Sequence, residues 1–524
     1  MNLLIEPTFR IETKFNREKV SLPALLAAYG DDRVKRLTGI QRHQQDAFHV
    51  FLSYLAGAVL ARQKVDEPVQ NEEFWRRGLL DLSGTAGNHA WTMVVDDLSL
   101  PAFMQPPLPE DTRFTSTVAT PDELDVLQTA KNHDVKRARA ASPTVDSWVY
   151  SLISLQTMSG FSGRGNQGIS RMNSGFGNRA IVELTRSRSQ GQRWMDAVRR
   201  LLRHRQKTLA EPFGYDADGL VLVWLHPWDG RTPLELRDLD PFYLEICRRV
   251  RLVGSVGEIK SARLSAANQP RIAAKHLAGV VGDPWLPVDR REMRRGGKVE
   301  LKALTFPPSG ITADHMRRLI FADELQLSAL QKPLPDWGGS IYLNASVLVR
   351  GQGVTDGFYE WEVMIPAEKA PSIFASVTEQ NPLEELSRDA IVQAGLMQNR
   401  VLKPALFAHI LGAPARLRLD DDFAGGSWPT WARRFEDLWS QQYFPWLWSM
   451  PEPLSRDEAI REWVEQLHEY ALQVLLEAEE SLPAHSGRKY QIQVRVRNIF
   501  WGAYYNNFAF MRGEKEFERS ANRI

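Results

Sequence analysis

The stretch Tyr490-Gln-Ile-Gln-Val-Arg-Val-Arg-Asn498-Ile-Phe-Trp-Gly-Ala-Tyr-Tyr-Asn-Asn-Phe-Ala-Phe510 decides what the end of this chain is. Tyr490, Ile492, Val494 and Val496 alternate as along a half-buried strand, whereas Asn498 to Phe510 is aromatic and helical in character. We read the whole as a helix. Three helices are expected before it. Leu383 to Lys403 forms one, and Trp431, Phe435, Leu438 and Trp439 share a face of the next. The third opens on the capping box Ser455-x-x-Glu458 and carries Ile460, Trp463, Leu467, Ala471 and Val474 at helical spacing. A fourth helix completes a bundle.

Upstream, Pro366-Ala-Glu-Lys-Ala-Pro371 reads as a boundary, placing a mixed α/β domain over 1–370 and the bundle over 371–524. Before it stand two strand-like runs, Ser340 to Arg350 and Phe358 to Ile365. They are joined by Gly351-Gln352-Gly353-Val-Thr-Asp356-Gly357, a hairpin that holds Gln352 at its tip between two glycines. Residues 231–350 mix short strands and turns, the pattern of an α+β fold rather than βαβ alternation. Leu220 to Trp224 reads as a buried strand, and residues 1 to about 40 as a short strand and a connecting helix. His43 to Arg62 predicts a helix with Phe48, Phe51, Leu52, Leu55 and Val59 inward, and Asn71 to Leu82 a second. The proline-rich Leu100 to Pro107 is expected to pack rather than react.

Between these elements lies a glycine-rich loop. Gly160, Gly163, Gly165, Gly168, Gly175 and Gly177 free the backbone to turn and to be approached closely. Arg164, Arg171 and Arg179 interleave with Phe161 and Phe176, and no Asp or Glu occurs from Ser147 to Val182, so the stretch suits an anion with stacking surfaces. Gly163-Arg-Gly165-Asn-Gln-Gly168 spells G-x-G-x-x-G, but Pro143 to Leu155 before it reads as a helix and Glu183 follows too soon for a ribose-binding acid. Gly160-Phe-Ser162-Gly163-Arg164 fails the nucleophile-elbow pattern at its last position. Arg186 to Lys207 carries eight cations against Asp196 and predicts an amphipathic helix with a basic outer face.

Lys plus Arg, 65, almost cancels Asp plus Glu, 64, so any case for nucleic acid rests on local clusters such as Lys131, Lys136, Arg137 and Arg139. Cys247 is the single cysteine, which excludes an intrachain disulfide and a multi-cysteine zinc site. No run approaches the ~18 apolar residues of a membrane span, and a cytoplasmic protein is expected. His133-Asp134 lacks the further ligands a metallohydrolase needs.

Several short motifs, taken in order, resemble the CasA family, the large subunit of the type I-E CRISPR surveillance complex Cascade. They are Met1-Asn-Leu-Leu-Ile5, Pro101-Ala-Phe-Met104-Gln105, Lys131-Asn-His-Asp134, the loop at 160–179, Gly282-Asp-Pro-Trp285 and the C-terminal helices. The resemblance implies a large mixed α/β N-terminal domain followed by a C-terminal four-helix bundle, without a catalytic centre; some members carry a cysteine cluster near 240–260, from which the single Cys247 departs, so no zinc site is carried over and no cofactor or metal is expected. It implies recognition of the protospacer-adjacent motif in target duplex DNA, initiation of unwinding, assembly with guide-RNA complex subunits and docking of a helicase-nuclease. Carried over by residue, the DNA-binding loop is Gly160, Phe161, Ser162, Gly163, Arg164 and Gly165. The lysine finger is Lys275, with Arg271 and Lys298 as rivals, and the wedge is Gln352. Lys131 to Arg139 matches a loop near the guide's 5′ end. The competing readings are a metal-dependent nuclease or hydrolase and a purely structural scaffold.

Overall fold

The computed structural model describes residues 1–125, 143–173, 177–255, 257–290, 301–351, 354–374, 381–481 and 488–512. Its chain divides into two compact units, Met1–Ile311 with Arg318–Ala370, and Thr312–Arg317 with Pro371–Ile524.

The first unit is built around the helix Arg42–Gln63, whose Gln41 N–H is capped by Gln44 Oε1 at 3.1 Å. From His43 to Leu60 nearly every residue is buried, because helices Glu72–Ser83, Val145–Met158 and Gln190–Ala210 and the strand Leu239–Leu244 pack around it. Phe48, Phe51, Leu52, Leu55 and Val59 are all inside, as their spacing requires. Full burial of each such side chain contributes about 1.5–3 kcal/mol, so this one helix anchors much of the unit.

Short sheets decorate that helical centre. Phe9–Glu12 pairs with both Arg17–Val20 and Arg36–Leu37, so the first forty residues form a small antiparallel sheet around the helix Leu22–Gly30 rather than one strand. Ser116–Val118, Glu258–Ser265 and Arg249–Ser255 form a second antiparallel sheet. Ile341–Gly351 pairs with Val354–Ile365 on one side and Ala180–Thr185 on the other. The hairpin strands thus run further towards the tip than the sequence suggests, with a register shift at Val349/Arg350 that accommodates the twist. The expected strand at Leu220–Trp224 ends at Leu222, pairs in parallel with Leu239–Leu244, and gives way to a single 3₁₀ turn.

The second unit is helical. Pro382–Leu396 continues through a π-helical stretch, Met397–Leu402, into Lys403–Ile410. Pro404 explains the widened turn: it has no N–H for the ladder, and its ring displaces the carbonyl four residues back. Asp422–Trp448, Arg456–Ser481 and Lys489–Asn507 follow. In the last of these Ile492, Val496, Phe500 and Tyr504 point inward at a spacing of four, while Tyr490 is 78% and Val494 42% exposed. A strand would place Tyr490 and Val494 with Ile492, so the apparent alternation is overruled by helical geometry. Trp446 stacks on Trp463 at 4.6 Å, Trp463 Nε1 donates to Ala390 O at 3.0 Å, and Tyr443 donates to Ser387 O at 2.8 Å, tying three helices together.

Candidate nucleic-acid interface

The helix Val145–Met158 ends at Ser159, and the chain then makes a closed loop back to Ile169, whose N–H donates to Ser159 O at 3.1 Å. Inside it Asn166 N–H donates to Gly163 O and Ser162 N–H to Asn166 O. Gly163 and Gly165 adopt φ of 93° and 87°. At Gly165 a Cβ would also lie 2.7 Å from that of Ala266, so only glycine lets the loop lie against the segment 265–268, where Ala267 N–H donates to Gly165 O at 2.9 Å. Gln167 Nε2 adds bonds to the Ala267 and Asn268 carbonyls, each 3.2 Å.

Arg248 holds both ends of the loop. Its Nη2 donates to Gly160 O at 2.9 Å and its Nη1 to Gln167 O, while its own N–H and that of Cys247 are fixed by Gln156 Oε1 at 2.8 Å. Beneath the loop Ile169 and Met172 pack on Cys247, whose thiol donates to Leu155 O at 3.3 Å. Gly160 and Gly165 are therefore buried hinges, whereas Phe161, Gly163 and Arg164 lie at the surface and Ser162 is half-buried.

Lys275 opens a 3₁₀ turn, Lys275–Leu277, and is exposed. The turn is followed by Ala278 and Gly279, both at positive φ. A Cβ on Gly279 would meet the carbonyl carbon of Met172 at 2.6 Å, so the turn abuts the loop's far end. In consequence Lys275 and Phe161 line one cavity of about 260 Å³ together with Gln167, Ile169, Met172 and Ile272. Arg271 is no rival: it is 1% exposed and donates to the carbonyls of Pro227, Val223 and His226. Lys298 lies outside the described residues, as do Phe176, Gln352 and the basic residues Lys131, Lys136, Arg137 and Arg139.

Two sequence expectations about charge are corrected. Arg171 and Arg179 are not part of an anion-facing surface. Arg171 is buried against Tyr243, at 3.5 Å, and near Glu245 and Asp283; Arg179 pairs with Asp283 at 2.7 Å and donates to Thr157 O. Acids distant in sequence supply what the acid-free stretch lacks, which leaves Arg164 as its exposed cation among the described residues. The basic outer face expected of the helix Gln190–Ala210 is likewise largely neutralised, although Arg203 and Lys207 are exposed and, among the described residues, without ion pairs. Arg186 pairs with Asp196, Arg188 with Glu362, Arg193 with Asp46 and Glu183, Arg199 with Glu67, Arg200 with Glu183, and Arg205 with Asp240.

Glu183 anchors the strand Ala180–Thr185 that leads away from the loop. Fully buried, it accepts from His49 Nε2 at 3.0 Å, Arg193 Nε at 3.1 Å, Arg200 Nη2 at 3.2 Å and Trp285 Nε1 at 3.4 Å. Burial pushes its carboxyl up, but Arg193, His49 and Arg200 outweigh burial and hold it well below the usual carboxylate range. Burial, reinforced by Arg193, lowers the basicity of His49, against the opposing pull of Glu183 and Asp46. Among the described residues no group of three or more His, Cys, Asp or Glu side chains is placed to hold a metal ion, and no helix is long and apolar enough to cross a membrane.

The chain is thus an α+β protein with an appended four-helix bundle, and its surface site joins a glycine loop to a lysine-bearing turn. That fold is the one adopted by the CasA/Cse1 proteins. CasA from Thermus thermophilus superposes with a TM-score of 0.61 at 14% identity, over 97% of this chain and 99% of that one. Cse1 from Thermobifida fusca gives 0.61 at 13% identity over 98% of each chain, and Cse1 from Acidimicrobium ferrooxidans 0.60 at 14% over 97% and 98%. A chain of a structure described as a CRISPR RNA-guided surveillance complex gives 0.59 at 14% over 97% and 99%. No family model and no curated protein sequence matches the chain.

Proposed function

We propose that this chain is the large, non-catalytic subunit of an RNA-guided CRISPR surveillance complex of the type I-E, CasA kind. In this reading it recognises the protospacer-adjacent motif in duplex DNA, starts unwinding and offers a docking surface to a helicase-nuclease. The observation that carries the reading is the cavity in which Phe161 of the glycine loop and Lys275 of the following turn meet, two elements more than a hundred residues apart in the chain. The fold, shared over nearly the full length with CasA/Cse1 proteins, supports it.

The chemistry fits a minor groove. That groove offers few distinguishing groups, so a glycine backbone able to lie close and one lysine donor select a permissive motif. A wedge must then separate the first base pair, and Gln352 follows in sequence directly on the strand Ile341–Gly351, which is paired on both sides. Unstacking one step costs a few kcal/mol. Because duplex and guide heteroduplex are nearly balanced in energy, opening that step decides whether pairing begins.

The test is competition binding of the assembled, guide-loaded complex to duplexes with and without candidate motifs. Lys275→Ala and Gln352→Ala are each expected to lower motif discrimination by about tenfold, the equivalent of ~1.4 kcal/mol, with assembly intact. Unchanged discrimination in both variants would overturn the site, and failure of the wild-type chain to join any guide complex would overturn the function.

A further inference from the structure

A second cavity is bordered by the segment against which the glycine loop packs. It encloses about 390 Å³ and is lined by Arg113, Arg231, Arg249, Thr112, Ser265 and Ala266, among others. Ala266 is the residue that Gly165 rests on, and the same segment continues through Pro270 and Ile272 into the cavity of Phe161 and Lys275. Successive residues of one segment, 265–272, thus line the two cavities in turn.

Arg249 is the unusual group here. It is 7% exposed, yet among the described residues it has no carboxylate within 4.0 Å. Its Nη1 is satisfied by Ser265 Oγ at 3.0 Å and Ala266 O at 2.9 Å, its Nη2 donates only to Thr112 Oγ1 at 3.0 Å, and its Nε finds no acceptor. In Arg186 and Arg434 the same Nε–Nη2 edge grips a carboxylate with two hydrogen bonds. In Arg249 Thr112 takes half of that edge, and the enclosed Nε is left for an oxyanion that enters the cavity. The cavity sets three arginines against Asp111 and Asp229. Arg113 and Arg231 are exposed and, among the described residues, without ion pairs, while Asp229, one of the cavity's two acids, is engaged by the N–H groups of Arg231 and Thr232 within its own turn. Burial lowers the basicity of Arg249 more than Asp229 and Asp111 raise it, and an arriving anion would add to their effect.

We propose that this cavity seats a backbone phosphate of the bound duplex, with Arg249 as the fixed fork and Arg113 and Arg231 as the cations that close on it. The proposal rests on the recognition reading above and adds to it a sequence-neutral grip beside the sequence-reading one. The segment 265–272 links the two.

The test uses the guide-loaded complex with the double variant Arg113→Ala/Arg231→Ala, and with Arg249→Lys, which keeps charge but removes the planar fork. Affinity for motif-bearing and motif-free duplexes is measured over a salt series. The double variant is expected to weaken both duplexes by the same factor and to flatten the log Kd against log salt slope by about 0.9 for each phosphate no longer neutralised, leaving the discrimination ratio intact. Arg249→Lys, folded to the wild-type level by circular dichroism, is expected to weaken binding in the same motif-independent way. Unchanged affinity and slope in both variants overturns the phosphate seat, as does a loss confined to guide loading, which would assign these arginines to RNA. A wild type that ignores the motif while its slope still falls in the double variant would sink the recognition reading and leave the phosphate seat standing.

Discussion

Arg248 is the residue on which the loop hangs, and its role is that of a positioning group. One guanidinium spans two carbonyls, those of Gly160 and Gln167, so Arg248→Ala is expected to cost about 2–3 kcal/mol in urea denaturation through the absence of its charged hydrogen bonds. It should also reduce motif discrimination, and Arg248→Lys should not restore it, because an ammonium cannot span both acceptors. Glu183 makes a different prediction. Glu183→Gln leaves Arg200 without its paired carboxylate and Arg193 with Asp46 alone, and is expected to destabilise the protein by about 3–5 kcal/mol near neutral pH. The sign of its pH dependence follows from the direction of the shift. The folded carboxyl titrates below its ordinary value of 4.5, so its contribution is full above that pH and fades as pH falls further. The gap in stability between wild type and Glu183→Gln should therefore narrow below pH 4.5; a gap that stays constant to the acid limit would assign the effect to packing. Neither role could be read from the chain. Arg248 is one of many arginines in a basic run, and Glu183 looks like a failed ribose-binding acid until His49, Arg193, Arg200 and Trp285 converge on it.

At the level of elements, periodicity was legible wherever one face is buried. The helix at 42–63 and the last bundle helix appear within a few residues of their expected limits, whereas the first bundle helix runs past Lys403 to Ile410 and the second extends well beyond Trp431 to Trp439; only Tyr490 to Val496 offered a rival period. Charge was less legible, because pairing is tertiary: Arg188 finds Glu362, 174 residues away, and Arg171 finds Glu245. The resemblance placed Lys275, yet the reason it meets the loop is Gly279, where the turn touches the backbone of Met172. Gly279→Ala is accordingly expected to weaken motif discrimination although Lys275 is untouched, and to lower stability by about 1–3 kcal/mol through forced positive φ. Discrimination equal to wild type in a folded Gly279→Ala complex would separate the turn from the recognition site.

Over the whole molecule, a formal net charge of +1 gives little long-range field. The isolated chain is expected to bind duplex DNA weakly, and to lose most of that binding between about 50 and about 200 mM salt, whereas the assembled complex retains it. Fluorescence titration of the free chain and of the complex in parallel checks this. Tight, salt-resistant binding by the free chain would mean that recognition does not depend on assembly.

Cys247, under Ile169 and Met172, gives the protein a reporter of its own. As the only thiol in 524 residues it can be alkylated without ambiguity, and it is buried, so a reagent reaches it only when the groups packed on it move aside. The rate at which a water-soluble maleimide labels the unmodified chain is thus expected to report that exposure, and DNA held against the glycine loop should slow the labelling.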